Sequence, residues 1–346
     1  MSRTAVVLFN LGGPDRPRSV RPFLFNLFND RAIIALPQPL RWVIARLISG
    51  RRAATARAIY DKIGGGSPLL ANTQAQAQAL EAALGADHRC FVAMRYWHPL
   101  SGDTARAVKD WRADRIVLVP LYPQFSTTTT GSSLAAWDET AKRIGLSLPT
   151  AVLCCYPREA GFIAAAAALI RQNLAQIPAG IACRVLFSAH GLPKKIVAAG
   201  DPYQYQVEAT VAALRAALDL PDLDSVICYQ SRVGPLEWLG PATDKEIARA
   251  GAAGIALVVA PVAFVSEHVE TLVELDIEYR HLAERSGVPV YRVVPTVGIE
   301  GAFIAGLATL ARRAVGTGLR CGEGVRLCPS SLVRCPLAAI GPKAMS

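Results

Sequence analysis

Three apolar segments near the start of this chain return, in the same order, in its second half. LFNLGGP (Leu8–Pro14) matches LFSAHGLP (Leu186–Pro193), and AMRYWHP (Ala93–Pro99) matches ICYQSRVGP (Ile227–Pro235). RIVLVPLYPQFS (Arg115–Ser126) matches GIALVVAPVAFVS (Gly254–Ser266). Each is a short uncharged run closed by Gly or Pro, the pattern of a strand buried on both faces. Further runs of this kind are Ala151–Cys155 and Val290–Val294, and between the runs lie helical stretches such as Asn72–Leu84, Gly161–Gln176, Tyr205–Leu218 and Gly301–Val315. Strand and helix alternate throughout, which predicts parallel sheets with helices on both faces. The repeat predicts two similar Rossmann-like α/β halves, with an active cleft between them. The expected division is 1–150 and 151–315, the last helix being free to pack on the first half, followed by a cysteine-containing tail, 316–346.

Composition narrows the partners. At 52% hydrophobic and 18% charged the 346-residue chain is globular. No apolar leader run follows Met1, so no secretory signal is expected. The net charge of +10 suits an anionic ligand or an anionic surface. Nucleic acid is not expected, because no basic run is interleaved with aromatics. Arginines 16, 18, 21, 31, 41, 46, 51 and 52 instead surround FLFNLF and PLRWVIARLI, a mixture fit for a membrane surface or the mouth of a site for an apolar anion. Gly64–Gly66 marks a close backbone approach; a phosphate loop is the weaker reading, since the Lys-Ser/Thr ending is absent.

The polar residues of note end strands: Asn10, His98, Tyr122, His190 and Gln230. In open parallel sheets that is where ligands bind. An acidic row then follows the strand Ile255–Ala260. Glu267, Glu270, Glu274 and Glu278 share one face if the segment is a single helix. Like charges at this spacing cost roughly 0.2–0.5 kcal/mol per pair, so the row is either a solvated face or a carboxylate path for a cation, with His268 beside it. His190 has no imidazole at the matching strand end of the first half, where Leu11 and Gly12 stand. A lone histidine is more often structural, but the chain offers no competing GxSxG, CxxC or GxGxxG set.

Taken together, LFNLGGP, IGGGSPL, YPQFSTTTTGSSL, LFSAHGLPKKIV, GDPYQYQV, QSRVGPLEWLGPATD and SEHVETLVELDIEY resemble the ferrochelatases over residues 4–310. The resemblance implies a chelatase-like fold and insertion of ferrous iron into protoporphyrin IX, giving protohaem and two protons. It puts the active-site histidine on His190 and the first metal-site glutamate on Glu270, with Glu274 and Glu278 leading away. Leu11, Lys62, Tyr122 and Trp238 fall on positions that line or close the porphyrin pocket. His190 and Glu270 are expected to face each other across a gap wide enough for the flat macrocycle. A coproporphyrin-type enzyme and a non-catalytic tetrapyrrole or metal carrier are the alternatives. The same resemblance implies a cytoplasmic location with peripheral membrane association, and leaves room for an iron-donor or haem-acceptor protein.

In the tail, Cys321, Cys328 and Cys335 are each separated by six residues. Structural zinc prefers ligands two to four apart, which ranks zinc second; unpaired thiols are the plain alternative. Some ferrochelatases carry a [2Fe–2S] cluster on C-terminal cysteines plus one from the body of the chain, and thiolates suit such a cluster. The body position used in animal enzymes falls near Ala166, so this chain departs from that pattern, and Cys155, or its neighbour Cys154, is the candidate fourth ligand.

Overall fold

The computed structural model describes residues 2–232 and 234–339. Nine strands are among them: β1 Thr4–Asn10, β2 His88–Met94, β3 Arg115–Pro120, β4 Thr150–Leu153, β5 Cys183–His190, β6 Asp224–Gln230, β7 Ala256–Pro261, β8 Tyr291–Val293 and β9 Leu319–Arg320. They form two parallel sheets, ordered β2-β1-β3-β4-β9 and β6-β5-β7-β8. The repeat read from sequence therefore has a structural meaning. In each sheet the first strand of a half is central, its second strand lies on one side and its third on the other. Every residue of β1 and of β7 is buried, which is why neither shows an alternating pattern.

The chain forms two compact units, Met1–Cys155 with Ala308–Arg320, and Tyr156–Leu307 with Cys321–Ser346. This differs from the expected borders in two places. β4 pairs in parallel with β3, so the run Ala151–Cys155 completes the first sheet rather than opening the second half. β9 pairs with β4, which draws the beginning of the tail into the first unit. Two residues are too few for a strand to be legible from pattern. The division passes within the helix Gly301–Ala314.

In the first unit, Phe9 packs edge-on against Trp137, ring centroids 5.9 Å apart, within a core that includes Val7, Phe91, Val108 and Leu118. The corresponding core of the second unit gathers Leu186, Ile247, Leu257, Val259 and Leu275. Full burial of such a side chain stabilises by roughly 1.5–3 kcal/mol. The three glycines of the first unit do mark a close approach. A Cβ on Gly66 would lie 2.6 Å from the Asp15 carbonyl oxygen, and the Ser67 N–H donates to the Pro14 carbonyl at 2.7 Å. The loop packs on the turn after β1 through Gly66, while Gly64, with nothing within 4 Å of a Cβ there, is required only by its φ of +89°.

The acidic segment is not one α-helix. Glu270–Glu278 is a π-helix, closed by the Tyr279 N–H donating five residues back to the Glu274 carbonyl, and Tyr279–Arg285 continues as α-helix. Such turns are rare and concentrate at functional sites. Glu267 precedes the helix altogether. Its Oε1 accepts the Thr296 N–H at 2.7 Å, so it ties two loops together and does not belong to the row.

Candidate active site and cysteine segment

Parallel pairing brings the ends of β5 and β6 side by side, with His190 opposite Gln230. β7 leads through a short loop into the π-helix. The second unit thus brings together, from its own elements, His190, Gln230, Ser231, His268, Glu270 and Glu274.

His190 Nδ1 lies 2.8 Å from Glu270 Oε2, and His268 Nε2 lies 3.6 Å from the same oxygen. The expectation of a macrocycle-wide gap between His190 and Glu270 is therefore corrected: the two are hydrogen-bonded partners, and nothing fits between them. The His190 side chain is 40% exposed and that of Glu270 24%, so the pair still meets the solvent side. Burial opposes charge on both, but each charge outweighs that for the other. His190 is held above its ordinary range by the Glu270 carboxylate. Glu270 is held far below the usual carboxylate range by His190 and, less, by His268. An ionised Glu270 fixes the tautomer: His190 Nδ1–H donates to it, and Nε2 is left as the basic nitrogen. Phe264 stands edge-on to the His190 ring at 6.4 Å and 4.6 Å from the His268 ring, walling the pair with an apolar face.

Glu274 is bound differently. Its Oε1 accepts the Ser231 N–H at 2.8 Å and the Tyr279 hydroxyl at 3.0 Å. Its Oε2 accepts the Ser231 hydroxyl and, at 3.3 Å, Gln230 Nε2. Burial and the Glu270 charge nevertheless push its pKa up, against the Ser231 and Tyr279 bonds. Glu270 and Glu274, one turn apart, are thus driven in opposite directions, the arrangement that separates a permanent anion from a proton acceptor. Ser231 achieves its double bond by a left-handed backbone, φ +60°. Gln230 is the hub: Nε2 also donates to the Glu270 carbonyl at 3.1 Å, and Oε1 accepts the Ser188 hydroxyl at 2.7 Å. Glu278 lies exposed at the end of the π-helix.

Trp238 is half-buried, and its Nε1–H has no partner among the described residues. The other three expected pocket residues belong to the first unit. Leu11 follows β1, its N–H donating to Asn10 Oδ1 at 2.8 Å. Lys62 is exposed at the end of the helix Leu40–Asp61. Tyr122 follows β3 and is half-buried. Nearby, the hydroxyl-rich run sends Ser132 to Asp30 and Arg95, with Arg95 Nε donating to Ser132 Oγ at 2.6 Å. Ser231, Tyr279 and Phe264 were not singled out from sequence. Ser231 and Tyr279 sit inside recognisable motifs, but a left-handed serine and a π-turn leave no mark on residue order.

Cys321, Cys328 and Cys335 are all buried. Cys328 and Cys335, both free thiols, are hydrogen-bonded partners. The Cys328 S–H, with the Leu337 N–H and Arg326, draws the Cys335 thiol below its ordinary range. Neighbouring buried thiols of this kind suit a soft thiolate-bound metal group. Cys154 Sγ and Cys155 Sγ are 3.5 Å apart at the end of β4. The Cys154 N–H donates to the Arg320 carbonyl at 2.8 Å, extending the β4–β9 pairing. Ala166, on the helix Ala160–Leu174, offers no ligand.

Two parallel sheets flanked by helices, with an imidazole–carboxylate pair beyond the strand ends, define a chelatase-type α/β protein. Solved structures agree on the fold: the sirohydrochlorin chelatase SirB of Bacillus subtilis subspecies spizizenii in complex with cobalt superposes with TM-score 0.54 at 10% identity, over 90% of this chain and 95% of that one. SirB from Bacillus subtilis with Fe3+ gives 0.52 at 12%, over 92% and 97%. The sequence is more specific. A family model described as ferrochelatase matches residues 3–315. Ferrochelatases of Phenylobacterium zucineum and Caulobacter vibrioides are 55% and 53% identical, over 96% and 94% of this chain and 97% of each relative. The chain belongs to the ferrochelatase family.

Proposed function

We propose that the second unit's site inserts ferrous iron into protoporphyrin IX to form protohaem, releasing two protons. The observation that carries the roles is the 2.8 Å contact between His190 Nδ1 and Glu270 Oε2. With Nδ1–H committed to an ionised carboxylate, Nε2 is the base that takes a pyrrole proton, a positioned imidazole of the general-base kind. Glu270, permanently anionic, offers the incoming Fe²⁺ an oxygen, and Nε2, in the alternative to taking the proton, offers a nitrogen, donors that suit a divalent first-row ion. Such ligands replace aqua ligands stepwise as the ion enters the ring. Glu274, with its raised pKa and two hydroxyl partners, receives the proton onward, and Glu278 at the exposed helix end passes it or the ion to solvent. Glu274 serves as a proton station rather than a metal ligand: a proton needs only one of its two hydroxyl partners to turn aside, whereas an ion would have to displace several of its four hydrogen bonds. Trp238 offers an aromatic face and a free N–H donor to the macrocycle.

Cys321, Cys328 and Cys335, with Cys155 or Cys154, are the residues proposed to hold a [2Fe–2S] cluster; metal insertion is not itself a redox step, so its role is structural or regulatory. Peripheral membrane binding is proposed for the helix Leu40–Asp61, where Leu40, Trp42, Val43 and Leu47 are 44–55% exposed beside Arg41 and Arg46. Among the described residues no helix is long and apolar enough to cross a membrane.

The test is anaerobic turnover with Fe²⁺ and protoporphyrin, followed by loss of free-base fluorescence. His190→Ala is expected to abolish it, and sustained turnover there removes the proton-acceptor assignment. Coproporphyrin run in parallel decides substrate class. Visible charge-transfer bands lost in Cys328→Ser support the cluster; colourless protein prepared without oxygen counts against it.

A further inference from the structure

The helix Tyr203–Leu218 touches both the histidine and the cysteine segment, and does so within its first turn. Tyr203, buried, donates its hydroxyl to the His190 backbone carbonyl at 3.0 Å, and its own N–H is capped by Asp201 Oδ1 at 3.0 Å. Gln206, three residues further on the same turn and fully buried, donates Nε2 to Cys328 Sγ at 3.1 Å. The tail is fastened to the same place by its backbone. The Arg334 N–H donates to the Gly200 carbonyl at 3.0 Å, and Val333 occupies the space where a Cβ on Gly200 would stand, 2.8 Å from its Cγ2. Gly200 has φ +92°, so the approach needs glycine on both counts.

His190 is the last residue of β5, where the ladder ends. Its carbonyl is held by Tyr203, and the following Gly191 N–H by the Gln230 carbonyl at 2.8 Å. The backbone that aims the imidazole at Glu270 is thus held from the strand side by Gln230 and from the helix side by the Tyr203 phenol. That phenol shares a helical turn with the amide that reads Cys328. An N–H bond to sulfur strengthens when the sulfur is anionic or metal-bound. It is lost when the sulfur is removed.

We propose that Tyr203 is a positioning residue for His190, and that Gln206, on the same turn, makes this positioning respond to the state of the Cys328 sulfur. The cysteine segment then controls iron insertion through this turn, with no part in the chemistry. The proposal deepens the role given to His190 and rests on it for its effect on turnover.

The experiment uses the full chain with histidines labelled by ¹⁵N; there are five, and His190→Ala assigns the resonance of interest. Tyr203→Phe is expected to shift the His190 ring resonances and to lower kcat about tenfold, the worth of one hydrogen bond, with the porphyrin KM unchanged. Gln206→Met, which keeps the volume and removes the donor, and Cys328→Ser are expected to move the same resonance in the same direction. In the Tyr203→Phe background neither is expected to move it further. A His190 resonance indifferent to Gln206→Met overturns the coupling, and so do shifts that simply add. An unchanged kcat in Tyr203→Phe overturns the positioning role. If Cys328→Ser unseats the tail, Gln206→Met still reads the link with every cysteine intact. The resonance is measured in resting protein, so it tests the coupling even if His190→Ala shows that another group takes the pyrrole proton.

Discussion

Replacing Glu270 by Gln removes one charge and little volume, and the structure sets what should follow. The partner oxygen lies 2.8 Å from His190 Nδ1. At that distance two unit charges attract by about 1.5 kcal/mol in water and by about 6 at an effective dielectric of 20. The His190 side chain is 40% exposed, which places the pair near the lower figure. Since 1.36 kcal/mol corresponds to one pH unit, Glu270→Gln should lower the His190 pKa by about one unit. A base must be neutral to accept a proton, so the wild-type kcat/KM should fall as pH drops through the raised His190 pKa. In the variant that acid limb should move about one unit lower, even though the plateau drops with the loss of a ligand for iron. The assay is anaerobic turnover against pH, paired with a ¹⁵N titration of the assigned histidine. An acid limb that stays in place while the plateau falls would refute the reasoning, for then the limb belongs to another group. Stability has a matching window. Glu270 is depressed, so its contribution is complete above the ordinary carboxylate range and is lost as pH falls through its folded value. His190 is raised, so its contribution is complete below about 6.5 and is lost as pH rises through its folded value. The pair should therefore add most to unfolding free energy between about pH 4.5 and 6.5.

Ser231→Ala should destabilise more than Ser231→Gly by about 1 kcal/mol in urea melts, because both lose the charge-assisted bond to Glu274 but only glycine relaxes at φ +60°; equal losses would mean the left-handed turn is unstrained. Glu274→Gln should slow turnover with a smaller change in iron dependence than Glu270→Gln, and the opposite ranking in an Fe²⁺ titration would make Glu274 a ligand after all. Gly161→Ala should cost roughly 1–3 kcal/mol, because its Cβ would lie 2.1 Å from the Ala302 carbonyl oxygen, which belongs to backbone and cannot swing aside; a thermal midpoint unchanged from wild type would show that the two helices can part freely. Leu47→Asp together with Trp42→Ser should lower co-sedimentation with anionic vesicles while leaving turnover in detergent intact, and undiminished binding would move the membrane contact elsewhere.

The architecture was largely legible because apolar strands and their turn residues are local signals, and because the chain states them twice. His190 and Gln230 could be placed beyond neighbouring strand ends before any coordinates, since parallel strands of one half deliver their ends to the same edge. Motif resemblance supplied the roles of His190 and Glu270. What residue order cannot carry is distance and backbone hand. Whether an imidazole and a carboxylate flank a ligand or bond to each other depends on a loop of a few residues, and here the loop closes them to 2.8 Å. The loop before the π-helix separates Glu267 from the acidic row, and the left-handed Ser231 saturates Glu274; both are choices among backbone states that differ by a few kcal/mol and are settled by packing. The six-residue cysteine spacing was plain in the sequence, but that Cys328 rests on Gln206, a turn from the tyrosine that holds His190, was decided only when the tail folded back onto that helix.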